Sequence, residues 1–265
     1  MVNSKIINDN DLYFFEIVDN RIIINDNYEG VIILDKDFNE ICKLKIFIDF
    51  VVDISFKKAD CIVLCCYEKQ CFVRIDVSSL EFRVISFCDG MENLYFQNYY
   101  LWQDDILFMM ADGGSSIVKM NLNSSEIVLI KDADSSEMSE QYKALKQFAN
   151  FLVHKTFSDK NTILIVASPD MVLIDYLNGT QMLKGKRLID FHDIEVFDDY
   201  VVQISETIIL ISNSEKSIEV FPSTANYRFL RAKFIRNENE IFLILLSCCN
   251  SDSQLAKFEK LNLPF

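Results

Sequence analysis

Leu12-Tyr-Phe-Phe-Glu-Ile-Val18, the turn Asp19-Asn20, Arg21-Ile-Ile-Ile-Asn25, a loop to Gly30, Val31-Ile-Ile-Leu-Asp35, a turn to Glu40 and Ile41-Cys-Lys-Leu-Lys45 place four short apolar runs within about forty residues. Runs of this length, dominated by Ile, Val and Phe and separated by Asp, Asn and Gly, read as β-strands joined by tight turns. The same order returns along the chain. A second copy runs Val51 to Phe56, Cys61 to Tyr67, Cys71 to Asp76 and Phe82 to Phe87, and a third Tyr99 to Trp102, Ile106 to Ala111, Ile117 to Asn121 and Ile127 to Lys131. The fourth is Phe151 to Phe157, Thr162 to Ala167, Met171 to Asp175 and Gln181 to Lys184. The fifth is Ile194 to Phe197, Tyr200 to Ile204, Ile208 to Ser212 and Ile218 to Phe221. The sixth has Phe229 to Ile235, Ile241 to Leu246 and Leu255 to Phe258, with little chain left for a fourth strand. Third strands begin at 31, 71, 117, 171, 208 and 255.

A four-stranded unit that is apolar on both faces cannot bury them alone and must stack on neighbours. In four units the third strand ends in an apolar residue followed by Asp or Asn: Leu34-Asp35, Ile75-Asp76, Met120-Asn121 and Ile174-Asp175. On this period and these residues the chain resembles the β-propeller superfamily over nearly its whole length. Its units are similar to quinoprotein-type blades, whose third strand ends before a turn resembling Tyr176-Leu-Asn-Gly-Thr180. They are unlike WD and kelch repeats, because Trp102 is the only tryptophan and no Gly-Gly pair recurs at blade spacing. The resemblance implies an all-β fold, a six-bladed β-propeller of four-stranded antiparallel blades with residues 1–265 as a single domain. A ring can be closed by a strand lent from the other terminus, and Lys5-Ile6-Ile7 is the candidate to complete the sixth unit. A seven-bladed or irregular ring, a β-sandwich, and two small β-domains also fit regular short strands with frequent turns. The blade motif implies no bound quinone and no other cofactor.

Between Lys131 and Phe151 the rhythm stops. Met138, Tyr142, Leu145 and Phe148 recur at helical spacing, Ser135 or Ser136 serves as an N-cap, and acids precede Lys143 and Lys146, as a helix dipole favours. This predicts one helical insertion at about 132–149, between blades three and four. It falls on a connection from an outer to an inner strand, which emerges on the same face as the loops joining second and third strands.

The 265 residues suffice for a sizeable core without staples. Forty acidic against twenty-six basic residues give a net charge of −14, which disfavours nucleic acid and favours a basic partner or plain solubility. Turns on both faces carry acids, so charge alone selects neither. No secretory h-region and no apolar run near the ~20 residues of a membrane helix is present. Eight cysteines, mostly in apolar runs such as Cys61-Ile-Val-Leu-Cys-Cys-Tyr67, read as small buried hydrophobes in a reducing cytoplasm. A thiolate site from Cys65, Cys66, Cys71 and Cys88 lacks a paired C-x-x-C, and adjacent strand residues point to opposite faces.

Parts for catalysis are sparse. His154 lies in an apolar strand, and His192, in Asp190-Phe-His-Asp193, has no serine or cysteine elbow. There is no H-E-x-x-H, Walker loop or G-x-G-x-x-G. Asp132-Ala-Asp134 begins like a calcium loop but lacks its glycine and distal glutamate. Asp104-Asp105 and Asp198-Asp199 occupy equivalent turns, where Asp is favoured for backbone reasons. Arg228, Arg231, Lys233 and Arg236 alternate with Phe229 and Phe234 and read as an ordinary inner strand with solvated ends, the alternative being a cluster that holds an anion in the channel. Glu92-Asn-Leu-Tyr-Phe-Gln97 matches a potyviral protease recognition sequence, but Asn98 and the apolar Tyr99-Tyr-Leu-Trp102 that follow make it part of a blade.

These features predict a non-catalytic, cytoplasmic, monomeric protein-binding propeller without metal or cofactor, which binds neither nucleic acid nor membrane. Its expected contact residues are Asp132, Asp134, Glu137, Glu140, Asp104, Asp105, Asp198, Asp199 and Trp102. Size, charge and composition are similar to those of bacterial immunity proteins that sequester nuclease toxins, which implies a basic toxin as partner. The alternative is an enzyme acting on a small molecule or sugar at the channel mouth with calcium assistance.

Overall fold

A computed structural model describes residues 4–102, 106–112, 115–131, 153–158, 163–167, 172–175, 188, 190–197, 200–213, 215–237 and 240–263. They form six antiparallel sheets, five of them meanders in sequence order. Sheet one is β2 (Phe15–Val18), β3 (Arg21–Asp26), β4 (Gly30–Leu34) and β5 (Glu40–Lys45). Sheet two is β6 (Ile54–Lys58), β7 (Cys61–Cys66), β8 (Cys71–Asp76) and β9 (Glu81–Ser86). Sheet three is β10 (Phe96–Trp102), β11 (Ile106–Ala111), β12 (Ser116–Asn121) and β13 (Ile127–Lys131). Sheet four has three strands among the described residues, β14 (Val153–Ser158), β15 (Ile163–Ala167) and β16 (Val172–Asp175). The fourth strand expected over Gln181 to Lys184 lies outside them.

Sheet five is β17 (Asp193–Phe197), β18 (Tyr200–Ile204), β19 (Ile209–Ser212) and β20 (Ser217–Val220). Sheet six is β21 (Tyr227–Asn237), β22 (Glu240–Cys249) and β23 (Asp252–Asn262), completed by β1 (Ser4–Ile7) from the other end of the chain. The register Ser4↔Glu259, Lys5↔Phe258 and Ile7↔Ala256 makes Lys5-Ile6-Ile7 the closing strand, as the count of strands required. Lys5 also donates its ammonium to the Phe38 carbonyl in the β4–β5 turn, tying the closing strand to sheet one. There is no α-helix among the described residues, and the helical insertion expected at about 132–149 lies outside them.

Strand alternation distributes side chains between neighbouring sheets. On β3, Ile22 and Ile24 pack against Ile244, Leu246 and Phe258 of sheet six, while Ile23 joins Leu64, Val73 and Ile75 of sheet two. Comparable layers lie between sheets two and three and between sheets five and six. Second and third strands are therefore apolar on both faces, which is why they read as continuous runs. Full burial contributes roughly 1.5–3 kcal/mol per large aliphatic side chain. Fourth strands have exposed and half-buried positions instead, as in Glu40-Ile-Cys-Lys-Leu-Lys45. First strands adjoin one another, β17 beside β21, β21 beside β2, β6 beside β10 and β10 beside β14.

Strand limits differ from expectation where side chains, not ladders, hold apolar residues. The run starting at Leu12 enters the sheet only at Phe15, because the Tyr13 and Phe14 N–H groups donate to Asn25 Oδ1 at 3.1 and 3.0 Å. Likewise, β6 starts at Ile54 and not Val51, since the Val52 N–H donates to the Tyr13 hydroxyl. Gly30 opens β4 where the Leu44 carbonyl oxygen would lie 2.0 Å from a Cβ, so no larger residue fits that pairing.

Candidate functional site

In a four-stranded meander the turn from second to third strand, such as β3–β4, and the connection from each fourth strand to the next first strand leave the same end of the sheet. At that end, where sheets five, six and one meet, lies a cavity of about 950 Å³. Its polar walls are Asp11, Asp190, His192, Glu206, Arg228 and Arg231, with Cys248 and Phe229 among the less polar lining.

Asn25 builds one wall. It is fully buried, accepts from Tyr13 and Phe14, and donates through Nδ2 to the Asp11 carbonyl at 2.7 Å. The buried Asn10 donates to the Asn25 carbonyl at 2.7 Å and accepts the Asn27 N–H. A polar pair inside an apolar sheet is tolerated because its hydrogen-bonding groups are used. Gln203 does a similar job in sheet five, accepting the Leu188 N–H at 2.9 Å from full burial. Asp11 accepts the Tyr28 hydroxyl at 2.7 Å, and Tyr28 stacks on Tyr13 with centroids 5.7 Å apart. That hydrogen bond raises the Tyr28 pKa above its ordinary value.

The opposite wall depends on a β-bulge. Pairing runs Phe229↔Ser247 and then Arg231↔Leu246, so Leu230 is extra in β21. Without it, residues three apart would point to opposite faces of the sheet. With it, Arg228, opposite Cys248, and Arg231, opposite Leu246, share the face turned toward sheet one. Arg228 donates Nε to Cys248 Sγ at 3.2 Å and Nη1 to Glu206 at 3.1 Å. Arg231 donates Nη1 to the Leu230 carbonyl at 3.2 Å, with Asp193 3.7 Å from its Nε. His192 Nε2 is 2.9 Å from the same carbonyl, an acceptor only, so this nitrogen carries the ring proton. The Ser205 hydroxyl, also in the cavity lining, exchanges hydrogen bonds with Ile208 backbone atoms.

Two residues beyond Arg231 on β21, Lys233 is sealed among first strands. Its Nζ lies 3.0 Å from Glu195 on β17 and 3.3 Å from Glu16 on β2, and Glu16 also meets Lys57 of β6 at 2.8 Å. Burial opposes the charged lysine, yet Glu16, Glu195 and Asp193 together hold its pKa well above the ordinary value. Lys233 thus remains charged inside the protein. Arg236 is exposed nearer the other end of the strand. The basic cluster seen in the sequence therefore divides into a cavity pair, a sealed ion and a solvated end.

Asp132, Asp134, Glu137, Glu140, Asp104, Asp105, Asp198 and Asp199 lie outside the described residues; Trp102 ends β10, and only its backbone is described. His154 lies in β14, likewise with only its backbone described. Among the described residues no three His, Cys, Asp or Glu side chains gather as a metal would need. All eight cysteines are free thiols. Cys65 packs between sheets two and three while Cys66 and Cys71 pack between sheets one and two, the opposite-face arrangement expected of neighbours in a strand. Burial pushes the Cys71 thiol up to about 11, leaving it protonated at neutral pH. In the Glu92–Gln97 string, Leu94 and Phe96 are buried in the layer between sheets two and three.

No protein-family model matches the chain, and no curated protein sequence does. Solved structures do. The Cps50 (Swd1) β-propeller domain of Myceliophteria thermophila superposes with a TM-score of 0.52 at 11% identity, covering 98% of this chain and 99% of that one. YCF48 bound to D1 peptide gives 0.50 at 11% identity, covering 98% and 95%. The fold is a β-propeller. A streptogramin B lyase matches at 0.49 and 10% identity, covering 100% of this chain and 88% of that one. Among the described residues, no helix of the propeller is long and apolar enough to cross a membrane.

Proposed function

We propose that this chain is a non-catalytic, cytoplasmic and monomeric protein-binding propeller of six blades in one ring, whose cavity-bearing face takes a basic partner with apolar anchors. One observation carries the reading. Four of the large apolar side chains left exposed, Tyr28 (42%), Ile48 (74%), Tyr95 (66%) and Phe221 (59%), sit in connections of that face, each from a different loop. Ile6, Ile41, Val84 and Val128 lie instead on the outermost strands, and the turns of the opposite face hold none among the described residues. Apolar anchors spaced around a polar rim mark a docking surface.

Charge favours a basic partner. Asp9, Asp49, Glu68, Asp89 and Glu92 are exposed in those connections, and Lys69 is their one lysine or arginine among the described residues. Such a field speeds encounter with a cationic chain. A nuclease toxin has this chemistry, and YCF48, which shares the fold, is seen with a bound peptide. His192 engages a backbone carbonyl and not a hydroxyl or thiol, which favours binding over nucleophilic catalysis.

Fluorescence anisotropy with a labelled peptide of alternating arginine and leucine, against its glutamate–leucine counterpart, tests the reading. The arginine peptide is expected to bind, with affinity falling as salt screens the face, and to weaken about tenfold or more in an Ile48→Ser/Tyr95→Ser/Phe221→Ser variant. Equal binding of the two peptides, or indifference to the triple substitution, overturns it. Removing residues 1–7 tests the ring: loss of the strand that covers β23 is expected to lower the melting temperature, and an unchanged melt counts against closure.

A further inference from the structure

We propose that the cavity is an oxyanion site, in which Arg228 and Arg231 hold a carboxylate or phosphate group beside His192. The bulge at Leu230 brings both guanidinium groups to one sheet face at the cavity wall, and bulges recur where a strand must re-aim side chains at a site. Each arginine is oriented by protein contacts that leave part of its fork unused. Arg228 spends Nε on Cys248 and Nη1 on Glu206, and Arg231 spends Nη1 on the Leu230 carbonyl. Nη2 of each has no acceptor among the described residues.

Three acids, Asp11, Asp190 and Glu206, share the lining with this pair, and Asp190 is exposed to solvent. Asp11 is engaged by the Tyr28 hydroxyl and Glu206 by Arg228 itself, so these carboxylates fix the walls. His192 is anchored on the same Leu230 carbonyl that holds Arg231, which places imidazole and guanidinium side by side. Two planar guanidinium groups with spare N–H pairs suit an oxyanion better than a compact cation, and the 950 Å³ volume lies in the range of small-molecule sites. Of the apolar anchors Tyr28 touches the cavity wall through Asp11, whereas Ile48, Tyr95 and Phe221 do not line the cavity, so substituting those three leaves the site intact and either binding activity can fail alone.

Isothermal titration calorimetry of the full chain at low chloride, with inorganic phosphate and separately with succinate, reads the site directly. At least one is expected to bind with one-to-one stoichiometry; phosphate alone identifies a phosphate group as the natural ligand, succinate alone a carboxylate. Arg228→Gln/Arg231→Gln is expected to weaken that affinity about tenfold or more, given the strength of charge-assisted hydrogen bonds. Arg231→Lys, which keeps the charge but loses the fork, is expected to weaken it several-fold, and Glu206→Gln to strengthen it by freeing Arg228. No binding of either anion, or equal binding by the double variant, overturns the proposal. If the double variant does not fold, unchanged affinity in both Arg231→Lys and Glu206→Gln overturns it instead.

Discussion

Strand β21 carries Arg228 and Arg231 at one end and Lys233 only two residues further along, and the two regions treat positive charge in opposite ways. Lys233 is 6% exposed, flanked by two carboxylates and enclosed by first strands. Arg228 and Arg231 are 46% and 40% exposed, each facing one carboxylate, with donors to spare. A buried ion between two carboxylates ties the first strands β2, β17 and β21 together, whereas the half-exposed pair keeps donors toward the cavity. The comparison separates structural charge from binding charge within six residues of sequence, and it breaks if the energetic costs do not follow it.

The largest expected effect is Lys233→Met. It removes the ammonium that the buried Glu16 and Glu195 share, and removing one partner of a buried ion pair typically costs about 3–5 kcal/mol. Urea unfolding checks this, and Lys233→Met/Glu195→Leu is expected to recover part of the loss by removing one of the two buried carboxylates. A cost below about 1 kcal/mol for the single substitution would class Lys233 with surface charges.

Asn25→Ala comes next. The buried amide accepts from two backbone N–H groups and donates to two carbonyls; leaving such groups unsatisfied costs about 1–3 kcal/mol each. We expect about 3 kcal/mol by urea denaturation, with faster hydrogen exchange at Tyr13 and Phe14 as its local signature. A uniform loss of protection across sheet one would instead show that Asn25 supports the whole sheet and not the wall alone.

Alkaline pH gives a smaller effect of defined sign. The Lys233 pKa is raised above its ordinary value of 10.5 by Glu16, Glu195 and Asp193 against the opposing effect of burial. Its stabilisation is therefore complete below about pH 10.5 and is lost as pH rises through the higher folded-state value. The urea midpoint of the wild type should fall toward that of Lys233→Met on the alkaline side, and the gap between the two should be constant from neutrality to pH 9. A gap that closes below pH 9 would mean the lysine is not held charged.

The period was readable because alternating burial forces it: Ile22, Ile23 and Ile24 must serve two different layers, so both inner strands of a unit become continuous apolar runs. The closing strand followed from counting, since a sixth unit with three strands leaves the edge of β23 to be covered. Residues 12–14 misled because Leu12 and Phe14 are buried like strand residues, while a side chain, Asn25, takes the role of the ladder. The cavity was not readable, although His192 and the basic cluster of β21 stood out separately, the cluster with an anion in the channel as one of its two readings. Period-two counting puts Arg228 and Arg231 on opposite faces, and nothing local in Arg228-Phe-Leu-Arg231 announces the bulge that unites them. His192 reaches them across 38 residues through a backbone carbonyl, a partner with no side-chain identity to recognise.

The smallest expected effect completes the comparison. Arg231→Gln removes a charge whose one ion-pair partner among the described residues, Asp193, is 3.7 Å away and whose hydrogen bond is to a carbonyl that His192 also satisfies. Half-exposed pairs of this kind contribute about 0–1 kcal/mol, so the melting temperature should barely move, while Lys233→Met, two residues away on the same strand, unfolds at markedly lower urea. A large loss on Arg231→Gln would assign the guanidinium a role in the fold, and the spare N–H groups at the cavity would then be incidental to its support of the bulge. A small loss leaves them where binding chemistry needs them, on a wall that stands without their help.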